Sequence, residues 1–331
     1  MAGRRRKQRS ERSYAWRYRG RIVACVFVEV IIICALVIMI GWNKGVKEWF
    51  EQFEQPVLKE VDISGINSPN AILMQARGGK ILGEINGEAQ IYPASMTKIM
   101  TVILGIENFD DLDEKITLTD EMFSGLYEQD ATQAGFQPGE EVRVIDLLYG
   151  AMLPSGAECC IALADTISGS EADFAELMNK KARKLGMENT HFCDSTGLHN
   201  PDHYSTVKDI AVLMKYCIKN DTFREIVETS RHSTGVTNIH PDGITYYSTM
   251  FKNLSDPTVT GGKILGGKTG YTSEAGHCLV SFAEIEGREY IFVSAGASGA
   301  DGNTIPHIQD AVTVYNRVGA AIEEKMNDNN K

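Results

Sequence analysis

Apolar and polar positions predict strands at both ends of one large domain. Near its start, the short apolar runs AILMQA, KILGEI and AQIYPA are divided by RGGK and NGE, which predicts antiparallel strands joined by two hairpin connections. Near its end, HCLVSFAEI and REYIFVSAG flank Glu286 and Gly287 and predict another hairpin with partly alternating faces. A last helix is predicted from Ile308 to about Met326.

Helical spacing dominates the chain between these strands. The run IMTVILGIE and the stretches VRVIDLLYGAML and EADFAELMNKKARKLG are helix candidates, the last of them ending at Gly186. The apolar positions at helical spacing are Val144, Leu147, Leu148 and Ala151 in the second stretch, and Phe174, Leu177 and Met178 in the third. A mainly helical insert therefore separates the first strands from the last.

The N-terminal part of the chain predicts a membrane anchor. Residues 22–41 are long enough, as a helix, to cross a hydrocarbon layer of about 30 Å, and Glu29 is the only charged residue among them. Nine Lys and Arg against one Glu precede this run. The positive-inside rule then places the N-terminus in the cytoplasm and the chain after Trp42 outside, as a single-pass protein of the cell membrane. A cleaved signal peptide is the alternative, although no clear small-x-small cleavage site follows.

Charge divides the chain in the same way. The 331 residues carry a formal charge of −11, and because the first 21 carry about +8, the remainder carries about −19. An arm so rich in arginine fits a topology signal that also contacts anionic lipid, and no basic groove that would bind nucleic acid is found elsewhere. The predicted segments are a basic cytoplasmic arm, 1–21; a transmembrane anchor, 22–42; a connector, 43–67; a large catalytic domain, 68–322; and a polar tail, 323–331.

The cysteines and histidines do not predict a metal or disulfide site. Five of the seven cysteines follow the predicted anchor, an odd number without C-x-x-C spacing, and we expect buried thiols. They are Cys159, Cys160, Cys193, Cys217 and Cys278. His199 and His203 are four residues apart, but Pro201 and Asp202 between them predict a loop, so no metal and no cofactor is expected.

Two S-x-x-K sequences occur, and their contexts differ. In ASMTK, a helix that starts at Ser95 would place the Cβ atoms of Ser95 and Lys98 about 5 to 6 Å apart. The amine could then act as the general base that a serine nucleophile requires, provided that a buried, cation-rich site lowers its pKa. In STVK, Ser205 or Thr206 fits a helix N-cap, and Lys208 fits an exposed lysine.

Two further stretches complete an ordered set of motifs. LPSGAECC holds Ser155, and GGKTGYTSEAGHCLVSF holds the K-T-G sequence that begins at Lys268. With NAILMQARGGKILGEINGEAQIYPASMTKIMTVIL, LLYGAMLPSGAE and THFCDSTGLHNPDHYSTVKDIA, they make residues 68–320 resemble the low-molecular-weight D-alanyl-D-alanine carboxypeptidases, which are serine DD-peptidases and penicillin-binding proteins. The resemblance implies an α+β fold of the DD-peptidase/β-lactamase type. In such a fold an antiparallel sheet is flanked by helices, with a mainly helical second lobe, and here we expect one transmembrane helix before it.

The same resemblance assigns the chemistry. It implies that Ser95 attacks the penultimate D-Ala carbonyl of a peptidoglycan stem peptide, that Lys98 takes the serine proton, and that Ser155 relays a proton to the leaving amine. It also implies that β-lactams are covalent inhibitors and that the backbone N–H groups of Ser95 and Tyr271 form the oxyanion hole. Asp194, Gly197 and His203 belong to a stretch that resembles a structural loop of the family.

Substrate binding is implied for the K-T-G strand and for one residue beyond it. Lys268 keeps the field positive, Thr269 binds the terminal carboxylate, and Gly270 lets the substrate lie along the strand edge. Two positions depart from the family pattern. Ala157 stands where S-x-N has an amide, a loss of about 0.5 to 1.5 kcal/mol in binding, and His307 in PHIQDA stands where an arginine is common.

Other interpretations stay open or are weaker. A β-lactamase shares two of the motifs, but the E-x-x-L-N sequence of the glutamate-dependent class is absent and FAELMNK comes nearest. A weakly active or non-catalytic wall-binding protein is consistent with Ala157 and His307. GGKILGGKTG matches a Walker A string, yet a strand pattern rather than a helix follows it. The sequence does not decide the oligomeric state or a preference for carboxypeptidase, endopeptidase or transpeptidase chemistry.

Overall fold

The computed structural model describes residues 58–254, 256–299 and 305–329. The predicted arm and membrane anchor lie outside these residues. Within them, every helix is too short or too polar to cross a membrane. The helices are α1 Lys98–Asn108, α2 Val144–Met152, α3 Ala157–Ser168, α4 Glu171–Leu185, α5 Val207–Cys217, α6 Asp221–Glu228, α7 Thr249–Asn253 and α8 Pro306–Asn329. The strands are β1 Asn70–Gln75, β2 Ile81–Ile85, β3 Lys115–Thr117, β4 Glu141–Arg143, β5 Arg231–Ser233, β6 Thr245–Tyr247, β7 Thr258–Val259, β8 Gly262–Thr272, β9 Gly276–Ile285 and β10 Arg288–Ala297.

One antiparallel sheet forms the centre of the described residues. Its strand order is β2-β1-β10-β9-β8-β7, so the first strands of the domain pair with the last. Side chains alternate between the two faces. In β1, Ile72 and Met74 join the hydrophobic cluster under the helical lobe, while Leu73 joins the cluster under α8. The predicted α+β arrangement, with helices on both sides of the sheet, is confirmed.

Local sequence signals fix the ends of the helices. The side chains of Ser170, Thr206 and Asn220 each accept a hydrogen bond from a backbone N–H in the first turn of α4, α5 and α6. Gly186 ends α4 with φ of 79°, a left-handed conformation that costs glycine little. The predicted helices within 142–153 and 171–186, and the last helix, are therefore confirmed, the last as the longer segment Pro306–Asn329.

Two of the three predicted hairpin connections are present. RGGK joins β1 to β2, and Glu286 and Gly287 join β9 to β10. The prediction for AQIYPA was wrong, because Ile91 makes only an isolated bridge to Ser205 and no strand of the sheet. The Ile91 backbone bonds to the segment just before α5, and Pro93, two residues later, has no N–H to extend a ladder.

The five cysteines of this domain are free thiols. Four of them, Cys159, Cys160, Cys217 and Cys278, are buried as predicted. Cys193 is only half-buried, so the prediction was wrong there. It lies in a surface loop whose neighbouring backbone faces the segment before α5 rather than the core.

Candidate active site

Ser95 lies in a short 3-10 turn that leads into α1. The turn Ala94–Thr97 follows Pro93, and Ala94 adopts a φ of 46°. Side chains three residues apart eclipse one another in such a turn. Lys98 Nζ consequently lies 3.1 Å from Ser95 Oγ and donates a hydrogen bond to it. The α-helix itself begins at Lys98 and not at Ser95, so the geometry differs in detail from the helix considered from sequence.

Lys98 is held on a second side by the main chain. Its side chain is 3% exposed, and Nζ also donates to the carbonyl oxygen of Thr196 at 2.6 Å. Sequence reasoning did not find this partner, because a backbone carbonyl leaves no signature in residue type. The amine therefore has two fixed hydrogen bonds, one to the candidate nucleophile and one to a loop 98 residues away.

A second serine and lysine pair faces the same cleft. Ser155 lies between α2 and α3 in a left-handed conformation, with φ of 74°, which is uncommon outside glycine and frequent at functional sites. Its Oγ accepts a hydrogen bond of 2.9 Å from Lys268 Nζ, which also donates to the Thr269 carbonyl at 3.0 Å. The structure thus brings a loop residue of the helical lobe into contact with a strand of the sheet.

Lys268 is an unusual amine because it is 1% exposed and has no carboxylate partner among its hydrogen bonds in the described residues. Burial first, and then the charge of the nearby Lys98, lower the pKa of Lys268 to about 7. Near neutral pH the free protein therefore holds Lys268 partly unprotonated. An anion that enters the cleft would favour the charged form.

Gly270 allows the sheet to approach the nucleophile closely. A Cβ atom at this position would lie 3.0 Å from the Ser95 backbone nitrogen and 3.1 Å from the Ala94 Cβ. Among the described residues, β7 pairs only with Gly262 and Lys263 at the start of β8. The later part of β8, including Tyr271, consequently presents an open edge to the cleft. Tyr271 is 60% exposed there.

The serines of the two pairs and the open strand edge line one cavity of about 690 Å³, and the two lysines lie directly behind these serines. Ser95, Ser155, Thr269 and Tyr271 are among the lining residues. Thr249, the first residue of α7, lines it too, and its hydroxyl lies 2.8 Å from that of Thr269. Thr249 was missed from sequence, since a threonine at a helix start is ordinarily structural.

His307 also lines this cavity, beside a histidine that sequence reasoning missed. The rings of His277 and His307 stack with centroids 5.0 Å apart and planes 7° from parallel. His307 is 4% exposed, and its Nδ1 has no hydrogen-bond partner within the described part of the chain. Burial first, and then the neighbouring His277, lower the pKa of His307 to about 4, so the ring is neutral at pH 7. His277 pairs directly with Tyr271 across β8 and β9, a register that is seen in the structure and that no sequence motif marks.

The position of the missing amide is occupied by a small buried residue. Ala157 is 2% exposed, and its N–H donates to the Thr132 carbonyl. Glu158 turns away from the cleft, because its Oε1 accepts from the backbone N–H groups of Ala134 and Gly135 at 2.6 and 2.9 Å. Burial raises the pKa of this carboxyl. Glu158 therefore does not replace the amide toward a substrate.

The Walker A interpretation is excluded by the backbone. Residues 262–269 all belong to β8, and the next element is β9 rather than a helix. Helix N-terminal amides that could bind a phosphate do not follow this segment.

The histidine pair and the second S-x-x-K sequence have structural contacts instead. His203 is 2% exposed and bonds within its loop, while His199 packs edge-on to Tyr92. The described residues contain no group of three or more side chains able to hold a metal ion. Thr206 is the N-cap of α5, as expected, and Lys208 forms a surface ion pair with Glu88.

With this geometry in view, the chain can be compared with known proteins. A profile of D-alanyl-D-alanine carboxypeptidases, peptidase S11, matches residues 57–299. The chain belongs to this family. The sequence resemblance to the family and the DD-peptidase fold are therefore confirmed.

Individual carboxypeptidases are similar over the same region. The D-alanyl-D-alanine carboxypeptidase DacF of Bacillus subtilis is 35% identical over 231 residues, which are 69% of this chain and 57% of that protein. DacC of Escherichia coli is 33% identical over 262 residues, 72% of this chain and 58% of that protein. The chain thus spans less than two thirds of the length of these relatives.

A solved DD-peptidase structure aligns over its own whole length with most of this chain. The crystal structure of the Streptomyces K15 DD-transpeptidase aligns with a TM-score of 0.69 and 30% identity, over 79% of this chain and 100% of that one. By sequence, the D-alanyl-D-alanine carboxypeptidase of Streptomyces sp. K15 is 35% identical over 236 residues, 69% of this chain and 78% of that protein. The described domain therefore has the fold of a known DD-peptidase.

Proposed function

We propose that the protein is a serine-type D-alanyl-D-alanine carboxypeptidase that removes the terminal D-Ala from peptidoglycan stem pentapeptides. Membership of the family supports this function. The observation that carries it is the pair of serine and lysine contacts on one cleft, Lys98 to Ser95 and Lys268 to Ser155. Each hydroxyl has an amine within hydrogen-bond distance, as proton transfer to and from a reacting group requires.

The reaction is acyl transfer through Ser95. Lys98, acting as a neutral amine, takes the Oγ proton as Oγ attacks the carbonyl carbon of the penultimate D-Ala. The oxyanion lies between the backbone N–H groups of Ser95 and Tyr271. When the C–N bond breaks, Ser155 relays the proton held by Lys98 to the departing amine, and D-Ala leaves. Water then attacks the ester on Ser95, its proton passes through Lys98 to Ser95 Oγ, and the shortened peptide is released.

The open edge of β8 binds the substrate as an added strand. The peptide backbone pairs beside Gly270, where no side chain blocks its approach to Ser95. Lys268 and Thr269 receive the terminal carboxylate, and His307 extends this subsite as a neutral hydrogen-bond donor. Carboxylate binding stabilises the charged form of Lys268, so the amine that is partly unprotonated in the free protein becomes an ammonium in the complex.

The test is labelling with a fluorescent penicillin, which mimics the D-Ala-D-Ala terminus. The wild-type protein and Ser205→Ala should retain a covalent label, and Ser95→Ala should lose it. Labelled Ser95→Ala protein would contradict the assignment. Rapid release of hydrolysed penicillin would favour the β-lactamase alternative. Labelling without release of D-Ala from a D-Ala-D-Ala peptide would favour a wall-binding protein of low activity.

We also propose that a membrane anchor carries this domain outside the cell membrane. The apolar run 22–41 and the arginine-rich arm before it support a single-pass helix with a cytoplasmic N-terminus. Extraction of the full-length protein with alkaline carbonate tests this, and release into the soluble fraction would contradict an uncleaved anchor. A mass lower by the arm and anchor would support the cleaved signal peptide instead.

A further inference from the structure

The two hydrogen bonds of Lys98 fix the orientation of its amine as well as its distance from Ser95. A neutral amine has two N–H groups and one lone pair, and only the lone pair can accept the Ser95 proton. The Thr196 carbonyl, 2.6 Å from Nζ, fixes the direction of one N–H. In the neutral amine, the lone pair can take the direction of the contact with the Ser95 hydroxyl, 3.1 Å away, along which Nζ otherwise donates. In nucleophilic catalysis the base is commonly oriented by a third group, and here the third group is a peptide carbonyl.

The peptide that carries this carbonyl is itself held by a half-buried carboxylate, that of Asp194. Asp194 Oδ1 accepts from Thr196 N at 2.7 Å, from Thr196 Oγ1 at 2.8 Å and from Gly197 N at 2.6 Å. Three donors on one oxygen leave the Thr196 peptide little freedom to rotate. Although burial alone would raise it, the hydrogen bond and charge of His203 and these donors lower the pKa of Asp194 to about 2. The carboxylate is therefore ionised throughout the neutral range.

His203 connects this carboxylate to the residue beside the base. Its Nδ1 lies 3.1 Å from Asp194 Oδ2, and we assign the proton to Nδ1 because the carboxylate is ionised. Its Nε2 lies 2.9 Å from the hydroxyl of Thr97, the neighbour of Lys98 in the chain. His203 and Thr97 are both at most 2% exposed. Hydrogen bonds therefore link Thr97 to His203, His203 to Asp194, Asp194 to the Thr196 peptide, and the Thr196 carbonyl to Lys98. Since Lys98 follows Thr97 in the chain, this network is closed.

The backbone of the Asp194–Gly197 loop packs closely against the 3-10 turn that carries Ser95. Gly197 has a φ of 80°, and a Cβ atom there would lie 1.9 Å from the Ala94 carbonyl oxygen. The loop thus cannot shift toward the turn that carries Ser95. With Ala157 in place of an amide, Ser95 and Thr196 are the two hydrogen-bond partners of Lys98 Nζ in the described residues.

We propose that Asp194 and His203 are positioning residues for the general base. They hold the Thr196 carbonyl, and this carbonyl orients the lone pair of Lys98 toward Ser95. The inference rests on the proposed function, because it assigns a task to residues outside the cleft only if Lys98 deprotonates Ser95. Neither residue touches the substrate, and each acts through the loop backbone.

The experiment measures penicillin acylation of the full chain by stopped flow, separating the non-covalent dissociation constant from the acylation rate constant. Asp194→Asn keeps the shape but removes the charge, and we expect acylation to slow by about 10- to 100-fold with the dissociation constant unchanged. Asp146→Asn is the matched control. Asp146 too is an aspartate paired with a histidine, His232 at 3.0 Å, but its hydrogen bonds go to Arg143, His232 and Gly235 and not to the loop that holds Lys98. This control should acylate at the wild-type rate.

A second pair of variants covers the case in which Asp194→Asn does not fold. Thr196→Val removes the hydroxyl donor but keeps the carbonyl, whereas Thr196→Ser keeps both. We expect slower acylation in Thr196→Val and near wild-type acylation in Thr196→Ser. Equal, wild-type rates in Asp194→Asn or in Thr196→Val would overturn the proposal.

A double-mutant cycle shows whether the effect passes through the base. In a Lys98→Ala background, Asp194→Asn should reduce the residual acylation less than about twofold, because the oriented group is gone. A full additional loss in that background would mean that Asp194 supports the fold and not the base. If the wild-type protein is not acylated at Ser95, the proposed function fails and this inference with it. Acylation at Ser95 that ignores Asp194 overturns this inference alone.

Discussion

The two S-x-x-K sequences of this chain share a spacing but differ in backbone conformation, in the burial of the lysine and in the partners of the serine hydroxyl. Ser95 and Lys98 lie across a 3-10 turn, where the amine is 3% exposed and contacts the hydroxyl at 3.1 Å. Ser205 is fully buried, with its hydroxyl on Thr190, and Lys208 turns to Glu88 at the surface. The comparison teaches that chemistry depends on which lysine is desolvated beside which hydroxyl, and that a three-residue interval is not enough.

The largest predicted difference between the two regions concerns the lysines. Lys98→Ala should reduce the rate of acylation by penicillin about 10²- to 10⁴-fold, because the Ser95 proton then has no base. Lys208→Ala, which removes an exposed ion-pair partner, should leave the rate within about twofold. Stopped-flow acylation measures both. Similar losses in the two variants would break the comparison.

How far the sequence predicts this arrangement depends on whether a residue acts through its side chain. The residues Ser95, Lys98, Ser155 and Lys268 were named from motif order, and the structure places them on one cleft or in direct contact with it. Thr196 was not named, because it contributes a carbonyl whose direction follows from the loop around Asp194 and Gly197.

The fold was predictable for the same reason that the motifs were. Periodicity predicted the long helices and the hairpin of β9 and β10, since side chains repeat along these elements with a fixed interval. AQIYPA failed because its backbone partner lies more than a hundred residues away, near Ser205. The stack of His277 on His307 similarly joins a strand to a helix start, and no local pattern marks it.

The next prediction concerns the second lysine of the cleft and its pH dependence. The pKa of Lys268 is about 7 in the folded protein and about 10.4 in an unfolded chain. Between these values the unfolded chain binds more protons, so Lys268 makes the free energy of unfolding rise with pH, by up to about 1.4 kcal/mol per pH unit. Lys268→Met should therefore stabilise the fold most near pH 7, with the gain shrinking toward pH 9, while acylation is lost.

Chemical denaturation of both proteins at pH 7, 8 and 9 measures this difference. Comparing the variant with the wild type at each pH cancels the contribution of the buried cysteines and tyrosines. Lys208→Met serves as the control, because Lys208 is exposed and its substitution should give a small difference without this slope. A gain that grows from pH 7 to pH 9 would contradict the cause given for the lowered pKa.

A smaller effect is expected at the carboxylate end of the cleft. His307→Arg replaces a ring that is neutral at pH 7 with a permanent charge, and we expect KM for a D-Ala-D-Ala peptide to fall about fivefold, or about 1 kcal/mol. His191→Arg, at an exposed position outside the cleft, is the control. A peptide with a C-terminal amide should not benefit. An equal fall in KM for the amide peptide would show that residue 307 does not bind the terminal carboxylate.

The smallest predicted effect on acylation is that of a substitution at Thr206, in the second S-x-x-K region, which should change stability instead. Thr206→Ala removes the N-cap of α5 and should lower the free energy of unfolding by about 1 kcal/mol without changing acylation. The Ser95 side chain caps no helix of the described chain, so Ser95→Ala should change stability by less than about 0.5 kcal/mol while abolishing acylation. Urea unfolding compares the two variants. A destabilised Ser95→Ala protein would mean that its loss of label has a structural cause.

The most direct test of the account is the position of the covalent bond itself. The wild-type protein is incubated with penicillin, digested, and analysed by tandem mass spectrometry. We expect one acylated peptide, with the added mass on Ser95 in ASMTK, and an unmodified STVK peptide. An adduct on Ser155 or Ser205, or a wild-type protein without any adduct at saturating penicillin, would contradict it.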